Sequence, residues 1–558
     1  NSIRKEINKS PLQAQWRIYF INNNFKVDFM RIFTSKKTMV AVLLFCLCNT
    51  VYSQTTLTVN TDAGQLSTKI SEAQKNTITD LKVSGKINGT DIAFIREMAG
   101  RALNNNAKTE GKLVSLDISD AQIVSGGGNY YTVKRGLSSF SYQTQEDNVV
   151  SPYMFSGLTN LTTLKLPKGT TKIEKNAVSD CSNLKECSIP SAVTSIADYA
   201  FAKCSKLTSV VIPREVSSLG VGAFYGCDEL SSVTFAEGNG LKLIAKEAFA
   251  SNSSLKSVTL PSLVKEISES AFKECTALKT VNFSEKLEKI GAGAFENCIA
   301  LATLSEFPET LSEIGDKAFL NTAVTAYSVA EGNEEYSAVD GVLYDADQIS
   351  LELYPAGRAD ATFKFPKTVS SIEEYAFAYA KNLQHLELPN HLTNVGESAF
   401  TFSKITKLTA LADGLSIGKK AFSNCAELET VEFKGAVSGI EEGAFQNDKK
   451  LSAVTFAGTS APDFGKYAFY PRALVLKIYV PEGYVEKYKD KISNTSAVLG
   501  TKYEVLANTS TGILDASLDS NVVETARYNV DGTKATTRTK GINIVKLSNG
   551  KVIKTIEK

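Results

Sequence analysis

The apolar positions of residues 195–213, SIADYAFAKCSKLTSVVIP, are unevenly spaced. They fall at Ile196, Ala200, Phe201, Cys204, Leu207, Val210 and Ile212. A single helix would repeat its apolar positions every 3.6 residues and a single strand every second residue, and this spacing fits neither. The stretch is therefore a composite unit with one apolar side.

The Ala-Phe pair of this unit recurs along the chain at a nearly constant spacing. The phenylalanines that follow alanine, which we call anchors, are Phe201, Phe224, Phe249, Phe272, Phe295, Phe319, Phe377, Phe400, Phe422, Phe445 and Phe469. With Phe155 and Val178 as weaker members, the steps are 23, 23, 23, 25, 23, 23, 24, 58, 23, 22, 23 and 24 residues. A period in the low twenties predicts a repeat solenoid.

Each unit combines two kinds of local structure. The alternation that ends at Val210 and Ile212 predicts a short strand, and Pro213 ends it because proline cannot donate to a ladder. The segment from Ile196 to Cys204 is too short for more than one or two helical turns, so it predicts a short helical or 3₁₀ arc. Stacked units cover each other's apolar sides, which predicts a mainly β solenoid with horseshoe-like α/β stacking and a buried column of anchor rings.

This pattern resembles the BspA-like branch of leucine-rich repeats, found in exported proteins of Bacteroidetes and other microbes. The shared unit, Ile-x-x-x-Ala-Phe-x-x-Cys-x-x-Leu-x-x-Val-x-Ile-Pro, recurs over roughly residues 150–490. The resemblance implies a leucine-rich-repeat solenoid. Three further passages also resemble family features: LKVSGKINGTDIAFIREMAG (81–100) an N-terminal region, YSAVDGVLYDADQISLELYPAG (336–357) a hairpin insertion, and LKIYVPEGYVEKYKD (476–490) an end-cap.

Residues 30–53, MRIFTSKKTMVAVLLFCLCNTVYS, have the pattern of a secretory signal peptide. Basic residues precede a short apolar run, and the small residues Val51 and Ser53 stand at the expected cleavage site. The pattern leaves an uncleaved anchor and a lipoprotein signal open as alternatives. We expect residues 1–29 to be a segment outside the mature protein.

The last segment, YNVDGTKATTRTKGINIVKLSNGKVIKTIEK (528–558), departs from the repeat. Its Asp-Gly and Asn-Gly dipeptides and alternating runs predict a small β module. It resembles C-terminal sorting or surface-attachment modules of Bacteroidetes, and a β appendage without such a role is the alternative. The predicted organisation is an N-terminal cap (54–150), a solenoid (151–505) with a hairpin insertion (327–366) and an end-cap (470–505), a linker (506–527), and this module.

Seven cysteines follow the signal peptide, and six of them sit three residues after an anchor. Asn252, Thr322, Ala380, Ser403 and Asp448 fill the same position in other units. A position that accepts all these types favours a small, inward side chain, so we expect buried, unpaired thiols. A bridge between the neighbouring Cys204 and Cys227 remains an alternative.

The outward residues of the predicted strands form the candidate partner-binding face. Its members include Ser209, Ser232, Thr234, Ser257, Thr259, Thr280 and Asn282. Adjacent short strands display a broad, shallow surface that suits a large partner. The alternative is a plain solvated face, because serine and threonine are also common there. Tyr130, Tyr131, Tyr142 and Tyr153 cluster near the start of the array, where they form either a contact patch or a cap, and we favour the cap.

Charge and composition narrow the function further. The formal net charge of +1 gives no basic field, so we expect no nucleic-acid partner. Two histidines leave little material for histidine catalysis or zinc, and no catalytic, phosphate-binding or metal motif stands out. We therefore expect no catalytic residues, cofactor or metal, and a monomeric, non-enzymatic protein.

The family resemblance implies an exported, surface-associated protein that binds a macromolecule, since the family includes adhesins for host extracellular-matrix proteins. The partner would be such a matrix protein or a protein of another cell's surface. The alternative is a glycan-capture or scaffold protein that serves polysaccharide uptake. Neither function would need a transmembrane span in the mature chain.

The cysteine positions lead to a first prediction. If the seven thiols are buried and act as small apolar side chains, none of them is held in a disulfide. Thiol counting on the denatured mature protein should then find most of the seven as free thiols. A count near one would show that the stacked cysteines pair.

Overall fold

Each repeat of the solenoid contributes two strands. The computed structural model describes residues 55–103, 107–136, 138–470, 475–498, 500, 502–508, 524–529, 533–535, 541–547 and 552–557. Residues 1–29, the predicted signal peptide (30–53) and most of the predicted linker lie outside this part of the chain. All described residues after Thr55 belong to one contact unit, Thr56–Lys558.

The first strand of each pair lies on what we call the long-strand face. Its strands are Thr163–Lys165, Glu186–Ser188, Ser209–Ile212, Ser232–Phe235, Ser257–Thr259, Thr280–Asn282, Thr303–Leu304, Thr362–Phe363, His385–Leu388, Lys407–Ala410, Thr430–Phe433, Ala453–Phe456, Leu476–Pro481 and Tyr503–Asn508. Pairing along this face is parallel and in register, so Ser209 lies beside Ser232 and Val210 beside Val233. Because alternate side chains point to opposite sides, the valines face the core.

The second strand of each pair lies on the short-strand face. Its strands are Val149–Val150, Lys172–Ile173, Ser195–Ile196, Ser218–Leu219, Leu243–Ile244, Glu266–Ile267, Lys289–Ile290, Glu313–Ile314, Ser371–Ile372, Asn394–Val395, Leu415–Ile417, Val437–Ile440 and Asp463–Phe464. These strands also pair in parallel from one repeat to the next, as Ile196 does with Leu219. Each contributes an inward apolar side chain to the core.

A run of turns, which we call the turn side, joins the short-strand face to the next long strand and holds the anchors. The solenoid predicted from the period is confirmed, but residues 151–470, all described, contain no helix where a helical or 3₁₀ arc was expected. The reason is local, since Tyr199 and Lys203 take positive φ angles of 54° and 60° on either side of Phe201. Left-handed residues interrupt a helix.

The anchor backbone links each repeat to the next. The N–H of Phe201 donates to the carbonyl of Ala223 at 2.8 Å. The same bond, with N···O distances of 2.6–3.0 Å, is made by Phe155, Val178, Phe224, Phe249, Phe272, Phe295, Phe377, Phe400, Phe422, Phe445 and Phe469. In these bonds the acceptor is the carbonyl of the residue before the next anchor, or that of Ala497 after the last anchor.

The anchor rings stack in two columns. Phe201 to Phe319 stack at centroid distances of 5.1–5.5 Å, and Phe377 to Phe469 stack at 4.6–5.5 Å. The anchors and the alanines before them are buried. Burial of each ring contributes roughly 1.5–3 kcal/mol.

The insertion separates the two columns. Its strands are Tyr336–Val339, Val342–Asp345 and Ser350–Leu353; the first two pair antiparallel, and the third joins the short-strand face beside Ser371–Ile372. Tyr354, which follows, stacks on Phe377 at 4.6 Å and donates its N–H to the carbonyl of Ala376 at 2.8 Å. A tyrosine thus fills an anchor position inside the 58-residue step, where no Ala-Phe pair marks it in the sequence.

The cysteine position forms a second buried row beside the anchors. The thiol of Cys204 donates to the carbonyl of Val178, the anchor of the preceding repeat, at 3.2 Å. Cys181, Cys227, Cys275, Cys298 and Cys425 make the equivalent bond at 3.0–3.2 Å. The seven cysteines of the described chain are free and buried, and burial raises the pKa of Cys181 and Cys227 to about 12. The thiols of Cys181 and Cys227 are accordingly poor nucleophiles.

The N-terminal region closes the start of the array. Strands Thr56–Thr61, Asp80–Ile87 and Ser115–Ile123 extend the ladder of the long-strand face, and Gly126–Arg135 pairs with Ser138–Thr144. The helices are Leu66–Lys69, Glu72–Lys75 and Gly89–Met98. An Asn88 capping box begins the last of these helices.

Arg96, fully buried on that helix, makes hydrogen bonds that a preceding repeat would make elsewhere in the array. Its guanidinium donates to the carbonyls of Met154 at 3.2 Å and Ser156 at 3.0 Å. In later repeats the equivalent carbonyls accept N–H groups from the repeat before, as Ala223 and Tyr225 do. The arginine therefore satisfies acceptors that the first repeat would otherwise leave open.

A helix and a loop close the other end. Helix Val485–Ser493 packs on the last turns, and the hydroxyl of Tyr488 donates to the carbonyl of Gly458 at 2.8 Å. The loop that follows supplies Ala497, whose carbonyl accepts the N–H of Phe469. The final strand, Tyr503–Asn508, extends three residues into the segment expected to be linker, because it pairs with Leu476–Pro481 along its whole length.

The C-terminal strands form a separate sheet. They are Glu524–Asn529, Lys534–Ala535, Gly541–Leu547 and Val552–Glu557, paired antiparallel. The first begins four residues before the expected start of the β module. Asn543 is fully buried in this sheet.

Carboxylates crowd the seam between the insertion and the second half of the array. Ser350 and Leu351 pair with Ser371 and Ile372, and Glu373, directly after that strand, donates its N–H to the carbonyl of Leu351, the residue before Glu352, at 3.0 Å. Burial raises the pKa of Glu352 to about 7, and the negative charges of Glu373 and Asp345 add to the effect. Like charges on adjacent strands oppose pairing.

This seam predicts a specific pH dependence of stability. A carboxyl whose folded-state pKa lies above its ordinary value holds its proton better when folded, so it stabilises the fold at low pH and loses that effect as pH rises to about 7. The free energy of unfolding should therefore fall by at most about 3 kcal/mol as pH rises to about 7, and Glu352→Gln should reduce this fall. Urea unfolding at a series of pH values measures the change. Glu387→Gln, an exposed carboxylate on the long-strand face, is the control; equal slopes in wild type and Glu352→Gln would contradict the assignment.

Candidate functional site

The seven residues of the candidate face lie on the outer side of the long-strand face. Ser209, Ser232, Thr234, Ser257, Thr259 and Asn282 are exposed, and Thr280 is half-buried. The residues between them, such as Val233 and Val258, point into the core. The pleat of each strand therefore sends one set of side chains to the core and the other to the surface.

The parallel register aligns these residues into rows that run from repeat to repeat. Ser209 lies beside Ser232, and Val211 beside Thr234. Two repeats further on, Thr259 lies beside Asn282, whose Nδ2 donates to its hydroxyl at 3.0 Å. Neighbouring strands lie about 4.7–4.9 Å apart, so the rows form a nearly regular polar surface.

A groove interrupts these rows where one repeat is longer. Strands Ser232–Phe235 and Ser257–Thr259 belong to different sheets, so the ladder breaks between them. The groove there has a volume of about 360 Å³, and its lining includes Ser232, Thr234, Glu237, Ser257, Thr259 and Ser262. In the sequence this longer repeat corresponds to the 25-residue step between Phe224 and Phe249, which by itself does not predict a groove.

The loop that walls this groove is held by a buried amide. Asn239 donates through Nδ2 to the carbonyl of Pro213 at 2.7 Å and accepts the N–H of Leu241 at 3.1 Å. Gly238 takes a φ of +72°, which suits glycine. Glu237 is left exposed at the rim, so the groove presents hydroxyls and one carboxylate.

Charge is unevenly distributed along the long-strand face. At its N-terminal end Lys82 and Lys168 both bind Asp120, and these hydrogen bonds lower the pKa of that carboxyl to about 2. Lys165 pairs with Asp117 at 3.2 Å in the same region. The outward positions of the strands from Ser209 to Thr303 carry no charged residue. The candidate residues thus occupy the neutral middle of the face.

The tyrosine cluster belongs to the N-terminal cap. Tyr130 is fully buried, and its hydroxyl donates to the carbonyl of Pro152 at 2.9 Å. Tyr131 stacks on Tyr153 at 4.8 Å and lies 5.0 Å from the guanidinium of Arg96. Both Tyr130 and Tyr131 are turned toward the core, which supports a capping role over a contact patch.

The two histidines of the described chain lie apart from any cluster of metal-binding side chains. His385 lies exposed on a long strand, and Nδ1 of His391 contacts Oδ1 of Asn390 at 3.1 Å. Within the described residues, no group of three or more histidine, cysteine or acidic side chains is arranged to hold a metal ion. None of the helices in this part of the chain is both long and apolar enough to cross a membrane.

Comparison with known families gives a direct match. The model of the BspA type leucine rich repeat region, six copies long, matches residues 129–240, 238–337 and 359–475, which together exceed half of the chain. A comparison with curated proteins found no match.

Three solved structures with similar folds are bacterial proteins, and each superposes on this chain only to a limited extent. The pneumococcal vaccine antigen PcpA is 20% identical, with a TM-score of 0.45, over 69% of this chain and 99% of its own. A leucine-rich cell surface protein of Faecalibacterium prausnitzii is 24% identical (TM-score 0.40; 57% and 84% covered). A leucine-rich repeat protein of Bacteroides ovatus is 22% identical (TM-score 0.40; 67% and 90% covered).

Proposed function

The chain belongs to the BspA-type leucine-rich repeat family, and from this premise we propose that it is an exported, surface-associated protein that binds a macromolecular partner without catalysis. The partner is a protein of a host matrix or of another cell surface. The contact surface is the neutral middle of the long-strand face. In the same proposal, residues 30–53 are a signal peptide and residues 528–558 attach the protein to the surface.

One observation carries this proposal. The hydroxyl rows from Ser209 to Asn282 lie on two in-register strand pairs, and the groove beside Glu237 lies between these pairs. Side chains fixed on strands lose little entropy on binding, and a broad shallow surface without a deep pocket fits a large partner better than a small substrate. Leucine-rich repeat families are also typically structural or binding proteins.

Lysine substitutions across the rows test the proposal. Each of the double variants Ser232→Lys/Thr234→Lys and Ser257→Lys/Thr259→Lys should weaken binding to immobilised matrix glycoproteins by roughly 3- to 10-fold, because energy in a distributed contact is shared among rows. Surface plasmon resonance on the full chain measures the change. Ser218→Lys/Leu243→Lys, on the exposed short-strand face of the same repeats, is the matched control and should bind as wild type.

The outcomes separate the proposal from its rivals. Saturable binding that survives deglycosylation of the partner and falls with each row supports it. Binding that the row variants leave unchanged would place the contact elsewhere. Binding to isolated polysaccharides alone would replace it with glycan capture.

A further inference from the structure

The turn side carries a row of residues, each two positions after an anchor, that all have positive φ. We call it the left-handed row, and its members are Gly157, Asp180, Lys203, Gly226, Ser251, Glu274, Asn297, Asn321, Tyr379, Phe402, Asn424 and Asn447. Glycine and asparagine tolerate this conformation, whereas a bulky side chain in it is strained. Only Tyr379 and Phe402 in this row are aromatic, and they occupy neighbouring repeats.

These two rings pack on each other but are not part of the core. Their centroids are 4.9 Å apart and their planes differ by 18°. Phe402 is 47% exposed, whereas the anchor Phe400 in the same repeat is fully buried. Phe402 therefore combines a positive φ of 59° with a large, half-exposed apolar ring, a combination that no other position of this row has. Such local exceptions concentrate at functional sites.

Amide side chains continue the row next to the aromatic pair. Nδ2 of Asn447 donates to Oδ1 of Asn424 at 3.0 Å, and Nδ2 of Asn424 donates to Oγ of Ser423 at 3.4 Å. Phe402 is joined to this next repeat through its N–H, which donates to the carbonyl of Ser423 at 3.2 Å. Along the row, the long aromatic side chains of Tyr379 and Phe402 are therefore followed by the shorter amide side chains of Asn424 and Asn447.

This combination matches the chemistry of a sugar ring. A pyranose has an apolar face of C–H groups that packs on an aromatic ring, and hydroxyls at its edge that need donors and acceptors. Amides supply both. No charged residue stands in the row from Asn297 to Asn447, so a neutral sugar fits better than a charged one.

We propose that Tyr379, Phe402, Asn424 and Asn447 form a saccharide-binding site for one or two units of a neutral glycan. The sugar packs against the outer face of Phe402, and its hydroxyls bond to the two amides. The site lies on the turn side, so it is separate from the long-strand face and does not depend on the function proposed for that face. A shallow site of this kind binds weakly, with a Kd of about 1 mM.

Asparagine substitution tests the site without disturbing the fold. Phe402→Asn installs the residue type that four other repeats carry here, and asparagine adopts positive φ more readily than phenylalanine. Ligand-observed NMR and calorimetry on the full chain, with cello-, manno- and galacto-oligosaccharides as probes, should show saturable binding of at least one. Phe402→Asn should weaken it about tenfold or more.

The control is Phe140→Asn, which removes an equally exposed ring from the N-terminal region and should leave sugar binding intact. Thermal unfolding of Phe402→Asn should match wild type or exceed it. Absence of binding by all probes, or binding that Phe402→Asn leaves unchanged, would overturn the proposal. A fall of several degrees in Tm on this substitution would show instead that the ring has a structural role. Matrix-protein binding by Phe402→Asn should stay at the wild-type level, which separates this site from the long-strand face.

Discussion

The hydrogen bond from an anchor N–H to the carbonyl of the alanine before the next anchor sets the geometry of the array. This bond places Phe201 one repeat from Phe224, so the rings stack at 5.1 Å and the two strand faces pair in register. The alanine must be small because a neighbouring backbone lies against it. Because each repeat contacts only its neighbours, this recurrent bond and the recurrent ring set the spacing and the stacking of the repeats.

The same constraint explains the parts of the chain that are not repeats. A stack of this kind ends in unpaired polar groups, and Arg96 and the Ala497 loop satisfy them at the two ends. The insertion interrupts the stack, and Tyr354 restores the anchor bond on its far side. With the ends closed and the interruption bridged, the array keeps two strand faces along its length, and variation at exposed positions does not disturb the core.

The period and the inward positions could be predicted from the sequence because they depend on one recurring dipeptide. The turn side could not, because Tyr199 and Lys203 do not look like left-handed residues, and the bonds that replace a helix run between repeats. Tyr354 could not be recognised as an anchor because it is a tyrosine that follows Leu353 and not a phenylalanine that follows alanine. The outward Ser and Thr residues could be placed on a face by alternation alone, but the groove depends on how the Asn239 loop folds, and the exposure of Phe402 depends on packing in three dimensions.

The central claim is that the anchor bonds form the cooperative framework of the array, and native-state hydrogen exchange tests it most directly. Amides of the central anchors, such as Phe249 and Phe272, should exchange only through global unfolding, while exposed loop amides exchange through local opening. Their protection should therefore fall in parallel with global stability as denaturant is added. Anchor amides that exchange as fast as loop amides in the folded protein would contradict the account.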